Sequence, residues 1–253
     1  MSAINKSLYE KFTITSVNGA KTADIKSGVI SFNYYEDVYS PMITARLVVV
    51  NTGNSIEGED GKMQSLYNGL PLRGGEKVEI KVAGNSADND GLEFNDFYVG
   101  SITDVNVDAE REMFVLNLIS REAITNETVR VGKKFPSSQK ISYSVEDIIK
   151  NYLSSDKLYD MDETQNPYGF IGNMRKPFTV ITWLASKSVS GKSDSNKEDS
   201  SAGFVFYETQ DGFNFRSLDE LMEQEPYKKE FTYSPGVINT DDPKKDFKIL
   251  KYG

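Results

Sequence analysis

The chain has no cysteine and no histidine among its 253 residues. Without Cys there are no disulfides, thiolate nucleophiles or zinc–thiolate sites. Without His there is no imidazole metal ligand, no Ser-His-Asp triad and no ordinary general base near neutral pH. An enzyme written in this alphabet would have to work with carboxylates, Lys or Tyr. Long apolar runs are also missing. None exceeds four residues, as in Leu47–Val50, far below the ~18 that a membrane-spanning helix needs. The opening MSAINKSLYEKFTITSV carries neither the basic region nor the apolar stretch of a secretory leader. The expectation is a protein assembled in the cytoplasm without membrane insertion. Positive charge is in deficit: 29 Lys and Arg stand against 38 Asp and Glu, for a net charge of −9. A grip on a phosphate backbone needs clustered Lys and Arg, so this chain should repel a polyanion.

What is present reads as a folded protein, with 38% hydrophobic and 26% charged residues. Residues 1–124 are mostly β in character. Phe12–Val17 ends at the turn pair Asn18-Gly19, and Val29–Tyr35 sets Ile30, Phe32 and Tyr34 on one face. Ile43–Val50 is apolar on both faces at its end, which implies a strand covered on two sides. A short helix is expected around Met63–Tyr67. Gly74-Gly75 turns the chain into Val78, Ile80 and Val82, which alternate with Glu79 and Lys81. Phe97–Val107 and Glu112–Ile119 then form a long ribbon. Short strands at this spacing predict an antiparallel β-barrel arranged as a meander of about five to seven strands.

The character changes near Ile124, and residues 125–230 read as an α+β unit. Ser144–Leu153 predicts a Ser-capped helix with a stripe of Val145, Ile148, Ile149, Tyr152 and Leu153. Pro177 either occupies the first turn of a second helix or precedes a Thr179 cap, with Phe178 stapled onto Trp183. Phe178, Ile181, Leu184, Ala185 and Ser188 then share one face. The only Trp, Trp183, is expected in the core, where truncation to Ala would cost ~3–5 kcal/mol. Phe204–Thr209 and Phe213–Arg216 flank Asp211-Gly212, a hairpin signal because Gly supplies the positive φ of a tight turn. Between helix and hairpin, Ser190–Gly203 reads as a surface loop. Residues 231–253 carry one or two strands that need a sheet to join.

Motifs with chemical meaning fall short. Ser190-Gly-Lys-Ser193 resembles the end of a phosphate loop, but it lacks the first Gly and follows a helix instead of opening one. Ser86–Leu92 resembles a calcium loop through Asp88, Asp90 and Gly91, yet Phe97 stands where the bidentate Glu belongs. Carboxylate pairs such as Glu36-Asp37 and Asp219-Glu220 are abundant, and sequence does not give their spacing in space. The cluster Tyr34, Tyr35 and Tyr39 fits either a sugar-stacking platform or an interface anchor. No cofactor or metal site and no catalytic residue is assigned.

Several phrases, in order, carry a resemblance: ISFNYYEDVYSPMITARLVVVNTG, LPLRGGEKVEIKV, SREAITNETVRVGKKF, GFIGNMRKPFTVITWLASKS and GFVFYETQDGFNFRSLDELM. From about Ile25 to its end the chain resembles the baseplate central hub protein of T-even-like contractile-tailed phages, the cyanophage type especially. The resemblance implies a mainly β fold: a tail-tube-like barrel (1–124), an α+β middle domain (125–230) and the start of a second tube-like barrel (231–253), which in the family continues well past this point. It implies a non-enzymatic virion protein of the tail baseplate. Three chains would close a pseudo-six-fold ring that joins the tail tube to the central spike, touches wedge proteins and lets DNA pass in transit. Tyr34, Tyr35 and Tyr39 are the expected partner interface. The alternatives are a β-rich carbohydrate-binding module for host glycans, the spike-carrier of a phage-like injection system, and a carboxylate-dependent muramidase carried in the tail.

Overall fold

A computed structural model describes residues 8–53, 56–57, 61–84, 91–108, 111–191 and 203–225, with the backbone of 231–232 and 247–248. The chain opens with β1 (Leu8–Thr15), β2 (Thr22–Asp24), a 3-10 turn η1 (Lys26–Gly28), β3 (Val29–Tyr35) and β4 (Thr44–Thr52). Two short paired strands follow, β5 (Ile56–Glu57) and β6 (Met63–Gln64), then the one-turn helix α1 (Leu66–Gly69). Next come β7 (Lys77–Ala83), β8 (Leu92–Val107) and β9 (Arg111–Ser120).

These strands build one antiparallel seven-stranded sheet in the order β2-β1-β7-β8-β9-β4-β3. The expected simple meander is therefore corrected. Only β7–β8–β9 run in sequence, while the β1–β2 hairpin joins beside β7 and the β3–β4 hairpin beside β9. The reason lies in β4. Its backbone pairs with β3 on one edge and over nine residues with β9 on the other, which carries the β3–β4 hairpin to the far side of β9. Leu47 and Val49 face the core, and Val48 and Val50 lie half-buried on the outer face.

The sheet curls into a half-barrel. Phe12 of β1 and Phe32 of β3 lie near opposite ends of the strand order, yet their rings meet edge-on at 5.7 Å. η1 spans the same gap: a Cβ on Gly28 would come 2.2 Å from the Val50 carbonyl oxygen, so the turn packs only as glycine. One expectation on β3 fails here. The register slips between Val29 and Ser31, leaving Ile30 as an extra residue that turns out to solvent while Phe32 and Tyr34 pack inward. A bulge of this kind exchanges the faces of a strand.

The second part contains α2 (Arg121–Thr128), β10 (Lys134–Phe135), α3 (Ile141–Asn151), β11 (Leu158–Met161), β12 (Phe170–Ile171) and α4 (Pro177–Ala185). It continues with β13 (Phe204–Thr209), β14 (Gly212–Ser217) and α5 (Leu218–Met222). Its core is separate from that of the barrel and gathers Val145, Ile148, Ile149, Ile181, Leu184, Phe213 and Phe215. α3 begins three residues earlier than expected. Ser144 is not its cap but a buried interior residue, and the amide of Ser142 donates to the Thr164 hydroxyl (3.0 Å) from a distant segment.

α4 starts at Pro177, and the predicted face is buried. The staple is corrected: Phe178 packs on Phe206 and Phe213, while Trp183 leans on Tyr168 and Phe170 and stays 41% exposed. The hairpin turn is Gln210-Asp211, and Gly212 already pairs with Thr209 in the strand. Gly212 (φ 139°) has a second reason to be glycine. β11 runs parallel beside β14, and a Cβ on Gly212 would lie 2.3 Å from the Lys157 carbonyl oxygen. Two-residue strands β15 (Phe231–Thr232) and β16 (Phe247–Lys248) pair in parallel. The expected start of a second barrel otherwise lies outside the described residues, as do most of the Ser190–Gly203 loop and the calcium-like stretch before Gly91.

Candidate interaction surfaces

The outer face of the half-barrel divides into two chemically different halves. Across β1, β7 and the start of β8, lysines and carboxylates interleave. Lys77 lies 3.4 Å from Glu79 and 3.5 Å from Asp96, and Lys81 lies 3.5 Å from Glu10 and 3.6 Å from Glu93. Lys11 also bonds Glu79. Exposed ion pairs like these contribute little to stability, but they keep a sheet face solvated. Across β4 and β9 the neutral pairs of the outer face are Val48 with Val115, which is itself covered (3% exposed), and Val50 with Met113, with Ser101 and Thr103 of β8 alongside and Arg46 opposite Asn117 at their border. On this half Arg46 pairs with Asp104 at 3.6 Å. Strand alternation places these neutral side chains in one strip.

The three tyrosines part company. Tyr34 points inward, its ring 4.7 Å from Phe94 and its hydroxyl bonded to Glu36. Burial, with Glu36 close behind, pushes the phenol well above its ordinary range. The Glu36 carboxylate also accepts the amide of Gln210 (2.7 Å) at the tip of the β13–β14 hairpin. Tyr34 thus contributes to the joint between the two parts of the chain. Tyr35 and Tyr39 point to solvent, 51% and 82% exposed. Tyr39 is held by a local turn in which its amide donates to Asp37 (2.9 Å), an arrangement that fixes the backbone beneath an exposed ring.

The joint is built from groups that sequence reading passed over. α2 follows β9 directly, and its Glu122, fully buried, meets Arg121 (3.0 Å), the Ser155 hydroxyl (2.8 Å) and Lys157 (3.3 Å). Burial alone would raise this carboxyl, but Lys157, Ser155 and Arg121 together hold it below the usual range. Lys157 also faces Asp96 of β8 at 3.8 Å. Nearby, Glu208 of β13 is 2% exposed and accepts the amide of Ile43 (3.1 Å). Burial drives its carboxyl up to about 7, against the opposing pull of Ser120 and the Ile43 amide. Ile43, Phe97, Ser120, Lys157 and Glu208 line a cavity of about 200 Å³ between the two parts. The signal in the sequence was Glu208 inside an apolar strand, Phe204–Thr209, where a charge is out of pattern.

The remaining carboxylates noted in the sequence do structural work. Glu36 and Asp37 serve as above, and Glu220 receives the Ser190 hydroxyl (2.7 Å). Ser190 is thereby engaged with α5; the rest of the phosphate-loop-like motif after Gly191 is outside the described residues. Gly74 and Gly75, both at positive φ, form the expected turn, and Glu76 accepts the amides of Arg73 (2.7 Å) and Gly74 (3.0 Å). Among the described residues no helix is long and apolar enough to cross a membrane.

No protein-family profile matches the chain, and no curated protein does. Solved structures do match. The tail protein from Neisseria meningitidis superposes with a TM-score of 0.53 at 10% identity, over 91% of this chain and 56% of that one. The 43 kDa tail protein of prophage MuSo2 from Shewanella oneidensis gives 0.50 at 12% identity, over 81% and 54%. The chain thus spans about half the length of the structures it matches, and it has the fold of phage-type tail proteins.

Proposed function

We propose that the chain is a structural component of a contractile-tail baseplate, a central hub, with no catalytic activity of its own. The observation that carries the proposal is a half-barrel plus α+β unit that matches two tail proteins over most of the chain. The two-sided outer face supports assembly into a ring: the neutral strip on β4 and β9, and the exposed Tyr35 and Tyr39, suit contact with a neighbouring subunit, and the ionic half suits water. A heterologous contact of this kind closes into a ring when its rotation permits. The proposed ring is a homotrimer that joins the tail tube above to the central spike below, in the virion, with wedge proteins outside. Residues 1–124, 125–230 and 231–253 would be its tube-like domain, middle domain and the start of a second tube-like domain. The net charge of −9 per chain keeps DNA moving through the lumen without adhesion. The test is mass in solution, alone and mixed with the spike protein of the same gene cluster. The expected outcome is three copies of the 28.4 kDa chain per particle, either alone or together with the mass of the bound spike; a strict monomer in both would sink the ring.

A further inference from the structure

A groove beside Trp183 holds chemistry that the ring does not use. β10 and β12 pair Lys134 with Ile171 and Phe135 with Phe170. The phenylalanines turn inward and stack 4.4 Å apart, while Lys134 and Ile171 face solvent. Trp183 stands edge-on to Phe170 and to Tyr168, 5.7 Å from each. Phe170, Ile171, Asn173, Arg175, Val180 and Trp183 line a groove of about 190 Å³. At its rim Asn173 and Met174 take φ of 49° and 54°, left-handed at two successive non-glycine residues, and Met174 is exposed. Such backbone persists only where its surroundings hold it, and it is concentrated at clamps and binding sites.

The charge around this ribbon runs against the chain's net −9. Arg130, Lys133, Lys134, Arg175 and Lys176 gather on it in sequence and in space, through the Lys134–Ile171 pair and the Val131–Arg175 bridge. Lys133 is taken up by Asp147, Lys176 by Glu127, and Arg130 by carbonyls ending α2. Lys134 and Arg175 are exposed and have no carboxylate partner among the described residues.

We propose that this groove receives an acidic, apolar segment of another protein, with an apolar side chain between Ile171 and Trp183 and carboxylates on Lys134 and Arg175. Exposed Trp and Arg are the side chains that dominate protein interfaces, and Arg175 offers a planar fork suited to a carboxylate. A nucleic acid is the weaker fit. Its backbone calls for a longer row of free cations, and the acidic chain repels a polyanion.

Trp183 is the only Trp, so its fluorescence reports on the groove directly. The full chain is titrated with a short end-blocked peptide alternating Glu and Leu, alongside a Lys–Leu counterpart and an oligothymidylate. A saturable blue shift is expected with the Glu–Leu peptide alone. Arg175→Glu or Lys134→Glu should weaken it by about fivefold or more, as should a roughly tenfold rise in ionic strength. Both side chains are exposed, so each variant should keep the parent's thermal melt. The proposal is overturned by no saturable shift, by an equal response to the Lys–Leu peptide or the oligonucleotide, or by undiminished binding in the double variant. A shift that tracks protein concentration alone would place a second copy in the groove and overturn it as well.

Discussion

At the scale of single residues, two side chains behave against their type. Glu208 is buried at the joint and holds its proton to about pH 7. Its folded-state value lies above that of an unfolded Glu, so the folded chain binds the proton more tightly than the unfolded one. Its contribution is fully present below about pH 4.5 and is lost as pH rises towards 7 and beyond. Glu208→Gln keeps an acceptor for the Ile43 amide and removes the titration. Denaturant melts of the variant should show stability raised by up to about 3 kcal/mol at pH 8 and unchanged near pH 4; equal stabilisation at both would show that another group controls the joint. Trp183 is the opposite case, a large apolar side chain left 41% exposed. Truncation to Ala should cost only about 1–2 kcal/mol, against ~3–5 for Phe213→Ala, which empties the centre of the second core. A Trp183→Ala loss as large as the Phe213→Ala loss in the same urea melts would restore the core role that its size suggests.

At the scale of elements, the helices are legible by their stripes but not by their ends. Val145, Ile148, Ile149 and Leu153 recur at helical spacing and are buried as read. The start of α3 is not legible locally because the amides of Ile141 and Ser142 donate to the Asn166 carbonyl and the Thr164 hydroxyl, residues that no local window contains. α4 shows the same physics. Lys176 at its N-cap gives no side-chain cap, and the amide of Phe178 donates instead to the buried Asn126 of α2 (2.8 Å). Asn126→Ala should therefore uncap α4 from a distance, lowering stability by about 1–2 kcal/mol. Hydrogen exchange would locate the loss: faster exchange confined to α2 would mean that the contact does not support α4. The strands follow a parallel rule. Alternation identified β7 and the Asp211-Gly212 pair the β13–β14 hairpin, whereas the bulge at Ile30 and the parallel neighbour at Gly212 arise from pairing partners far along the chain.

At the scale of the whole molecule, the ring reading rests on assembly, and its decisive measurement is the solution mass with and without the spike. Amino-acid order alone determined a β-rich first part and a mixed second part, because periods of two and of 3.6 are local properties of the backbone. It also determined the exclusion of thiol and imidazole chemistry, because composition does not depend on folding. Only the tertiary structure decided the strand order, the separation of Tyr34 from Tyr35 and Tyr39, the proton-holding Glu208 and the groove at Trp183. Each of these depends on which distant segment lies within a few ångströms, and burial, hydrogen bonding and charge pairing act through that distance and not through sequence separation.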